Sequence, residues 1–145
     1  MSKETDIILL KGLKQLAKLS KDYKAKIAAF ALKDNRVVSL GVNGYPAGYD
    51  DSDTSHKHDK IVHAELNAIF NYGGNPKDID KMVIYGLPPC TDCIKAMAAI
   101  GVNEVVFAIN PAIRSGSEWL DIFKTVHLLH HNIEFKLYPN GDFDD

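Results

Sequence analysis

The stretches His63-Ala64-Glu65 and Pro89-Cys90-Thr91-Asp92-Cys93 decide how the rest of this 145-residue chain is read. The only two cysteines of the chain both fall in the second stretch. One imidazole and two thiolates supply three ligands for Zn2+ and leave the fourth tetrahedral position open. That is the arrangement of a catalytic zinc, because structural sites close with four protein ligands. Each stretch lies where a strand or loop hands over to a helix, so Cys90 and Cys93, three apart, share one face of a first helical turn. The partial positive charge at a helix N-terminus favours the thiolate that a metal needs. Glu65, two residues beyond His63, is not a ligand in this reading. It is placed to move protons between a water and a substrate.

Blander readings compete with this one. A CxxC in a reducing compartment also suits a redox pair, and His56 or His58 would complete four ligands and make the zinc structural. His127, His130 and His131 read as surface or core-edge residues, Arg114 as a solvated cation, Asn43 as a turn residue, and Trp119 and Phe107 as core.

Outward from the two stretches, the pattern alternates. Residues 7–19 carry Leu9, Leu13 and Leu16 at helical spacing. Ile27 to Leu32 and Val37 to Val42 form a hairpin about the turn Lys33-Asp34-Asn35-Arg36. Residues 43–60 turn to Gly, Asp, Ser and His, a loop long enough to be functional or mobile. A helix from Val62 to Tyr72 is expected to turn Leu66, Ile69 and Phe70 inward and to stop at Gly73-Gly74. Met82 to Tyr85 is a buried strand. Thr91 to Ile100 is a helix with Ile94, Met97 and Ala98 inward and Gly101 as its stop. Val105 to Ile109 is another strand, and Ser115 with Glu118 suggests a capping box for a helix packing Trp119, Ile122, Phe123, Val126 and Leu129. Ile133, Phe135 and Leu137 alternate with polar residues as an edge strand, and the acidic tail from Asn140 to Asp145 is expected to fray. This order predicts an α/β fold over one domain, residues 1–145: a largely parallel sheet with helices on both faces and an antiparallel hairpin.

Composition narrows the function. Hydrophobic residues make up 46% and charged residues 25%, as in a globular chain, and no apolar run reaches membrane-span length. The polar, acidic start is unlike a signal peptide, and so few cysteines give no disulfide framework, so a cytoplasmic setting is expected. A formal net charge of −2 without an arginine block argues against a large nucleic acid as main partner. It leaves room for a single nucleotide.

The chain resembles the deoxycytidylate (dCMP) deaminases of the cytidine deaminase-like superfamily over about residues 5–138. The likeness rests on Ser20-Lys21-Asp22, on Gly41-Val42-Asn43-Gly44-Tyr45-Pro46-Ala47-Gly48, on His63 to Ile69 (HAELNAI), and on Pro89 to Cys93. It implies a three-layer α/β/α fold with a five-stranded mixed sheet and zinc held at two helix starts by His63, Cys90 and Cys93. It implies Glu65 as catalytic proton carrier, Asn43 on the sugar hydroxyl, the Ala64 N–H on the ring carbonyl, and Lys24 and Arg114 near the substrate phosphate. It further implies hydrolysis of dCMP to dUMP and ammonia, a homo-oligomer, and dCTP and dTTP as effectors. The chain departs from the family pattern at Val42, where a tyrosine is usual, in Ala112-Ile113-Arg114, which lacks a tyrosine, and in having no further cysteines. Deamination of cytidine, guanine or tRNA adenosine, and a zinc-stabilised nucleotide-binding module, are the alternatives.

Overall fold

Five strands alternate with helices along the chain, and the computed structural model describes residues 2–142 of it. In chain order the elements are α1 (Lys3–Leu16), β1 (Ala28–Lys33), β2 (Arg36–Val42), the short α2 (Lys57–Lys60), α3 (Ala64–Asn71), β3 (Lys81–Gly86), α4 (Thr91–Ile100), β4 (Glu104–Ile109), α5 (Gly116–Val126) and β5 (Glu134–Leu137). The strands form one sheet in the order β2-β1-β3-β4-β5. β1 is antiparallel to both β2 and β3, whereas β3, β4 and β5 run parallel. The sheet is therefore mixed, with the hairpin inserted beside β3 through β1. The hairpin turn uses left-handed Asp34 (φ 49°) and Asn35 (φ 63°), which matches the twist of the flanking strands.

The period-2 alternation of the strands divides the core. Ala29, Ala31, Met82, Ile84, Val105 and Phe107 point to one face, where α3 and α4 pack Ala68, Ile69, Ile94 and Met97 and α5 adds Phe123. Ala28, Leu32, Val83, Val106 and Ala108 point to the other, beneath Leu10, Leu13 and Ala17 of the first helical segment. α3 lies directly on the backbone of β2. A Cβ built at Gly41 would stand 2.3 Å from both the Ala64 carbonyl oxygen and the Ala68 nitrogen, so only glycine admits the helix at that distance. On the α1 face, Lys81 Nζ sits between Asp6 Oδ1 at 2.6 Å and Glu104 Oε1 at 2.7 Å, and the Tyr138 hydroxyl donates to Asp6 Oδ2 at 2.8 Å.

Several expectations about side chains are corrected. Leu9 and Leu16 only flank the α1 seam, which is built on Asp6, Leu10 and Leu13. Phe70 is 70% exposed, because α3 presents Ala64, Glu65, Ala68 and Ile69 to the sheet and Phe70 falls outside that arc. Ala98 is exposed for the same reason on α4. Ser115 precedes α5 with φ −82°, ψ 2°, outside the extended region an N-cap needs, so it makes no side-chain cap and the expected box is absent. Leu129 is 71% exposed in a short turn after α5, and Ile122, Leu137 and Trp119 are also exposed. Of the tail, residues 140–142 form a 3-10 turn, while residues 143–145 of the expected frayed end lie outside the described residues.

Candidate metal centre and substrate cavity

Two helix N-termini meet on the α3/α4 face. His63 is the N-cap of α3 and Cys90 the N-cap of α4, both with extended backbone and neither spending its side chain on a capping bond. Both side chains are thereby free to turn toward each other, and Cys93, one turn into α4, joins them fully buried. His63 Nδ1 lies 3.3 Å from the sulfur of Cys90 and 3.3 Å from that of Cys93. With bonds of about 2.3 Å to sulfur and about 2.0 Å to nitrogen, tetrahedral zinc would set nitrogen and sulfur ligands about 3.5 Å apart, so the donor set fits the ion. All three donor atoms lie within 4.8 Å of one another, and among the described residues this is the group of His, Cys, Asp and Glu side chains arranged to hold a metal.

The electrostatics of the cluster point the same way. The Cys93 thiol donating to it, together with His63, pulls the Cys90 pKa down to about 4. The same bond, burial and the nearby Glu65 carboxylate push the Cys93 thiol far up. The hydrogen bond with Cys90 raises His63, against the opposing effect of burial. Cys93 and Glu65 are buried beside the half-buried Cys90, so negative charge is crowded on the inner side of the cluster, and a divalent cation relieves that crowding. Among the described residues no fourth protein ligand is supplied. His56 faces Asp59 at 3.5 Å, and neither it nor His58 belongs to the cluster. A site with an open position results, which disfavours the closed structural zinc.

Beside the cluster opens a cavity of about 190 Å³ whose lining includes His63, Glu65, Cys90 and Asn43. Glu65 is 5% exposed, and burial raises its pKa, the condition for a carboxyl that must both take and give a proton. Asn43 is buried, its Oδ1 accepting the Ile27 N–H at 2.9 Å and its Nδ2 donating to the Ala25 carbonyl at 2.7 Å. Ala64 is buried as the first residue of α3, where a helix leaves its N–H groups without intrahelical partners. Lys24 lines the cavity. Arg114 is exposed and stands next to the lining residue Ser115 without lining the cavity itself.

The wall contains residues that the sequence reading passed over. Trp119, read there as core, lines the cavity at 37% exposure, with Leu87 and Pro88. Asp22 and Lys57 also line it, paired at 2.8 Å. For Asp22 the signal was available in Ser20-Lys21-Asp22, which carried the family likeness. For Lys57 a cation in a polar loop gave none.

Comparison with known proteins adds the following. The family model for the cytidine and deoxycytidylate deaminase zinc-binding region matches residues 3–109. Human deoxycytidylate deaminase is 33% identical over 103 residues, covering 63% of this chain and 57% of that protein. A probable deoxycytidylate deaminase of Caenorhabditis elegans is 34% identical over 114 residues, covering 70% of this chain and 57% of its own length. The chain thus spans little more than half the length of these curated relatives. Among solved structures, the apo dCMP deaminase of the cyanophage S-TIM5 superposes with a TM-score of 0.70 at 22% identity, covering 95% of this chain and 100% of that one. The five-stranded mixed sheet with helices on both faces is accordingly the cytidine deaminase-like fold.

Proposed function

This chain belongs to the cytidine and deoxycytidylate deaminase zinc-binding family, and from that premise we propose that it hydrolyses dCMP to dUMP and ammonia. The observation that carries the reading is Glu65, a buried carboxyl on the wall of the cavity that His63 and Cys90 also line. A module that only bound nucleotides would have no use for a carboxyl held there at the cost of its own desolvation. In this proposal His63, Cys90 and Cys93 hold zinc, which supplies the Lewis acidity that makes water a nucleophile near neutral pH. Glu65 accepts the proton of that water and hands it to the ring nitrogen next to the carbon bearing the amino group. The hydroxyl left from the water bonds to that carbon. Glu65 then takes the proton of the added hydroxyl and delivers it to the amine, the C–N bond breaks, ammonia leaves and a carbonyl remains. The Ala64 N–H holds the ring carbonyl and Asn43 meets the sugar hydroxyl.

Lys24, from the cavity wall, and Arg114, from beside it, meet the 5′-phosphate in this reading, because a buried dianion needs charge-assisted donors. Loss of one such contact costs about 1.5–3 kcal/mol, roughly 10- to 150-fold in kcat/KM. The proposal extends to one zinc-dependent deaminase domain over residues 1–145, a cytoplasmic homo-oligomer, and dCTP and dTTP as effectors. For location, the structure contributes that no helix among the described residues is long and apolar enough to cross a membrane. The test is ammonia release from dCMP, CMP, deoxycytidine, guanine and tRNA. dCMP is expected to lead, and Lys24→Ala is expected to reduce kcat/KM for dCMP while leaving deoxycytidine nearly unchanged. Equal turnover of deoxycytidine and dCMP by the unmutated protein would overturn the phosphate requirement.

A further inference from the structure

Between β2 and α3 runs a long segment closed at its base, where Gly44 and Val62 exchange backbone hydrogen bonds of 3.1 and 2.8 Å. Beyond that base most of its polar contacts are internal. The Tyr45 hydroxyl donates to the Asp53 carbonyl, Ser52 and Ser55 bond Asp50 and Asp53, and Lys60 pairs with Asp53. Among the described residues, two ion pairs join residues 45–61 to the rest of the chain, and they differ in kind. Lys21 meets Asp51 at 2.7 Å with side chains 74% and 43% exposed, so water and salt screen that pair. Lys57 meets Asp22 with side chains 14% and 2% exposed, its ammonium 2.9 Å from Oδ1 and 2.8 Å from Oδ2 and lying over the Tyr23 ring.

Asp22 is also a hub. Its Oδ1 accepts the N–H groups of Lys24 at 2.8 Å and Ala25 at 2.9 Å, and its Oδ2 lies 3.5 Å from Asn43 Nδ2. Burial works against its charge, but Lys57 and these N–H donors outweigh that and hold its pKa below the usual carboxylate range. Every residue joined here (Asp22, Lys24, Ala25, Asn43 and Lys57) lines the cavity beside the metal cluster. A buried ion pair adds little to fold stability because desolvation offsets the attraction, but its geometry is strict.

We propose that the Asp22–Lys57 pair is the latch that holds the 45–61 strap against the cavity, so that Asp22 and Lys57 are positioning residues for the substrate. Released, the strap takes Lys57, His58 and Ile61 out of the wall, and the left-handed backbone of His56 (φ 53°) just before α2 is where it would relax. The apparent affinity of such a pocket is the intrinsic one multiplied by the closed fraction, so a latch loss that leaves about a tenth of molecules closed raises KM about tenfold. Chemistry in the closed fraction is untouched, so kcat stays near its wild-type value. The inference rests on the proposed deamination only for its kinetic readout.

The experiment compares Lys57→Met, Asp22→Asn, their double variant, Lys57→Arg and the exposed-pair control Lys21→Ala. For each, KM and kcat for dCMP are measured, zinc is quantified, and chymotryptic cleavage after the exposed Tyr49 is timed from fragment masses. Quenching of Trp119, the single tryptophan of the chain, by acrylamide reports the cavity wall without any substrate. The latch predicts KM up about tenfold with kcat within about threefold in Lys57→Met and Asp22→Asn. It also predicts faster cleavage at Tyr49, stronger quenching, partial rescue in Lys57→Arg, and a double variant no worse than either single. Lys21→Ala should match wild type. Unchanged cleavage and quenching in Lys57→Met would overturn the latch, as would kcat and zinc falling together or additive single effects. Should the protein fail to turn over dCMP at all, the proposed reaction falls while cleavage and quenching still decide the latch.

Discussion

Two polar clusters lie on opposite faces of the same sheet, and they differ in whether the chain balances its own charge. Beneath α1, Lys81 answers Asp6 and Glu104, Lys136 lies 3.7 Å from the second oxygen of Glu104, and the Tyr138 hydroxyl donates to the remaining oxygen of Asp6. On the α3/α4 face, Cys90, Cys93 and Glu65 gather around His63, and among the described residues no lysine or arginine pairs with them. Cys93 and Glu65 are as buried as Asp6 and Lys81, while His63 is exposed and Cys90 half-buried at the cavity, so the second cluster is also open on one side. A cluster that closes on itself joins elements together, whereas one left short of a positive charge is built to receive something from outside.

The comparison breaks most visibly at Cys90. Cys90→Ser should drop zinc from one per chain to near zero by metal analysis and lower the melting temperature, since metal binding is coupled to folding. Full zinc occupancy in that variant would end the assignment. Glu65→Ala comes next: zinc and fold should persist while turnover falls about 10²- to 10⁴-fold, the usual worth of a general acid–base group. Retention of a tenth of the activity would remove Glu65 as the proton carrier. On the other face, Lys81→Met leaves the buried Asp6 carboxylate without its cation and should cost about 3–5 kcal/mol in chemical denaturation without altering zinc content. Zinc loss in that variant would show that the two faces are not independent.

The smallest effect is in pH. Burial works against the charge on Lys81, but its carboxylate partners outweigh it and raise the pKa, so the network's contribution is fully present below about pH 10.4 and fades as pH rises beyond it. Burial and the Asp6 carboxylate push Tyr138 up to about 12, so its stabilising hydrogen bond is lost over the interval from about pH 10 upward. Tyrosinate absorbance should show one phenol ionising late. Asp22 is shifted the opposite way. Its contribution is present above about pH 3.9 and is lost as pH falls through its lowered folded value, which should loosen the strap in acid. Protection at Tyr49 that persists unchanged below that pH would contradict the coupling.

What the sequence discloses follows from range. The candidate metal cluster was legible because each half of it is local: a His two residues before a Glu, and two Cys three apart after a proline. Strand and helix order was legible from periodicity, and the Asp34-Asn35 turn from its residue types. Periodicity does not say how wide an arc a neighbour will cover, so Phe70 and Leu129 were read inward and lie exposed. Lys57 and Asp22 are 35 positions apart, and Lys81 and Asp6 are 75 apart. Such pairs leave no local signature, and each member alone reads as a solvated charge. Trp119 was read as core because a large aromatic on a helix usually is, and the cavity it walls exists only once α5 is set beside the strap.

Gly41 never touches the cluster, yet the cluster's placement depends on it. A methyl there would press on the Ala64 carbonyl oxygen and the Ala68 nitrogen of the helix whose first turn carries Glu65 and whose cap is His63. Those are main-chain atoms, present whatever side chains the helix bears. No second substitution at Ala64 or Ala68 can make room, so a lineage that lost this glycine would have no compensating path except reversion. In a suppressor search starting from Gly41→Ala, true revertants should therefore dominate, and the position should behave genetically like a member of the active site.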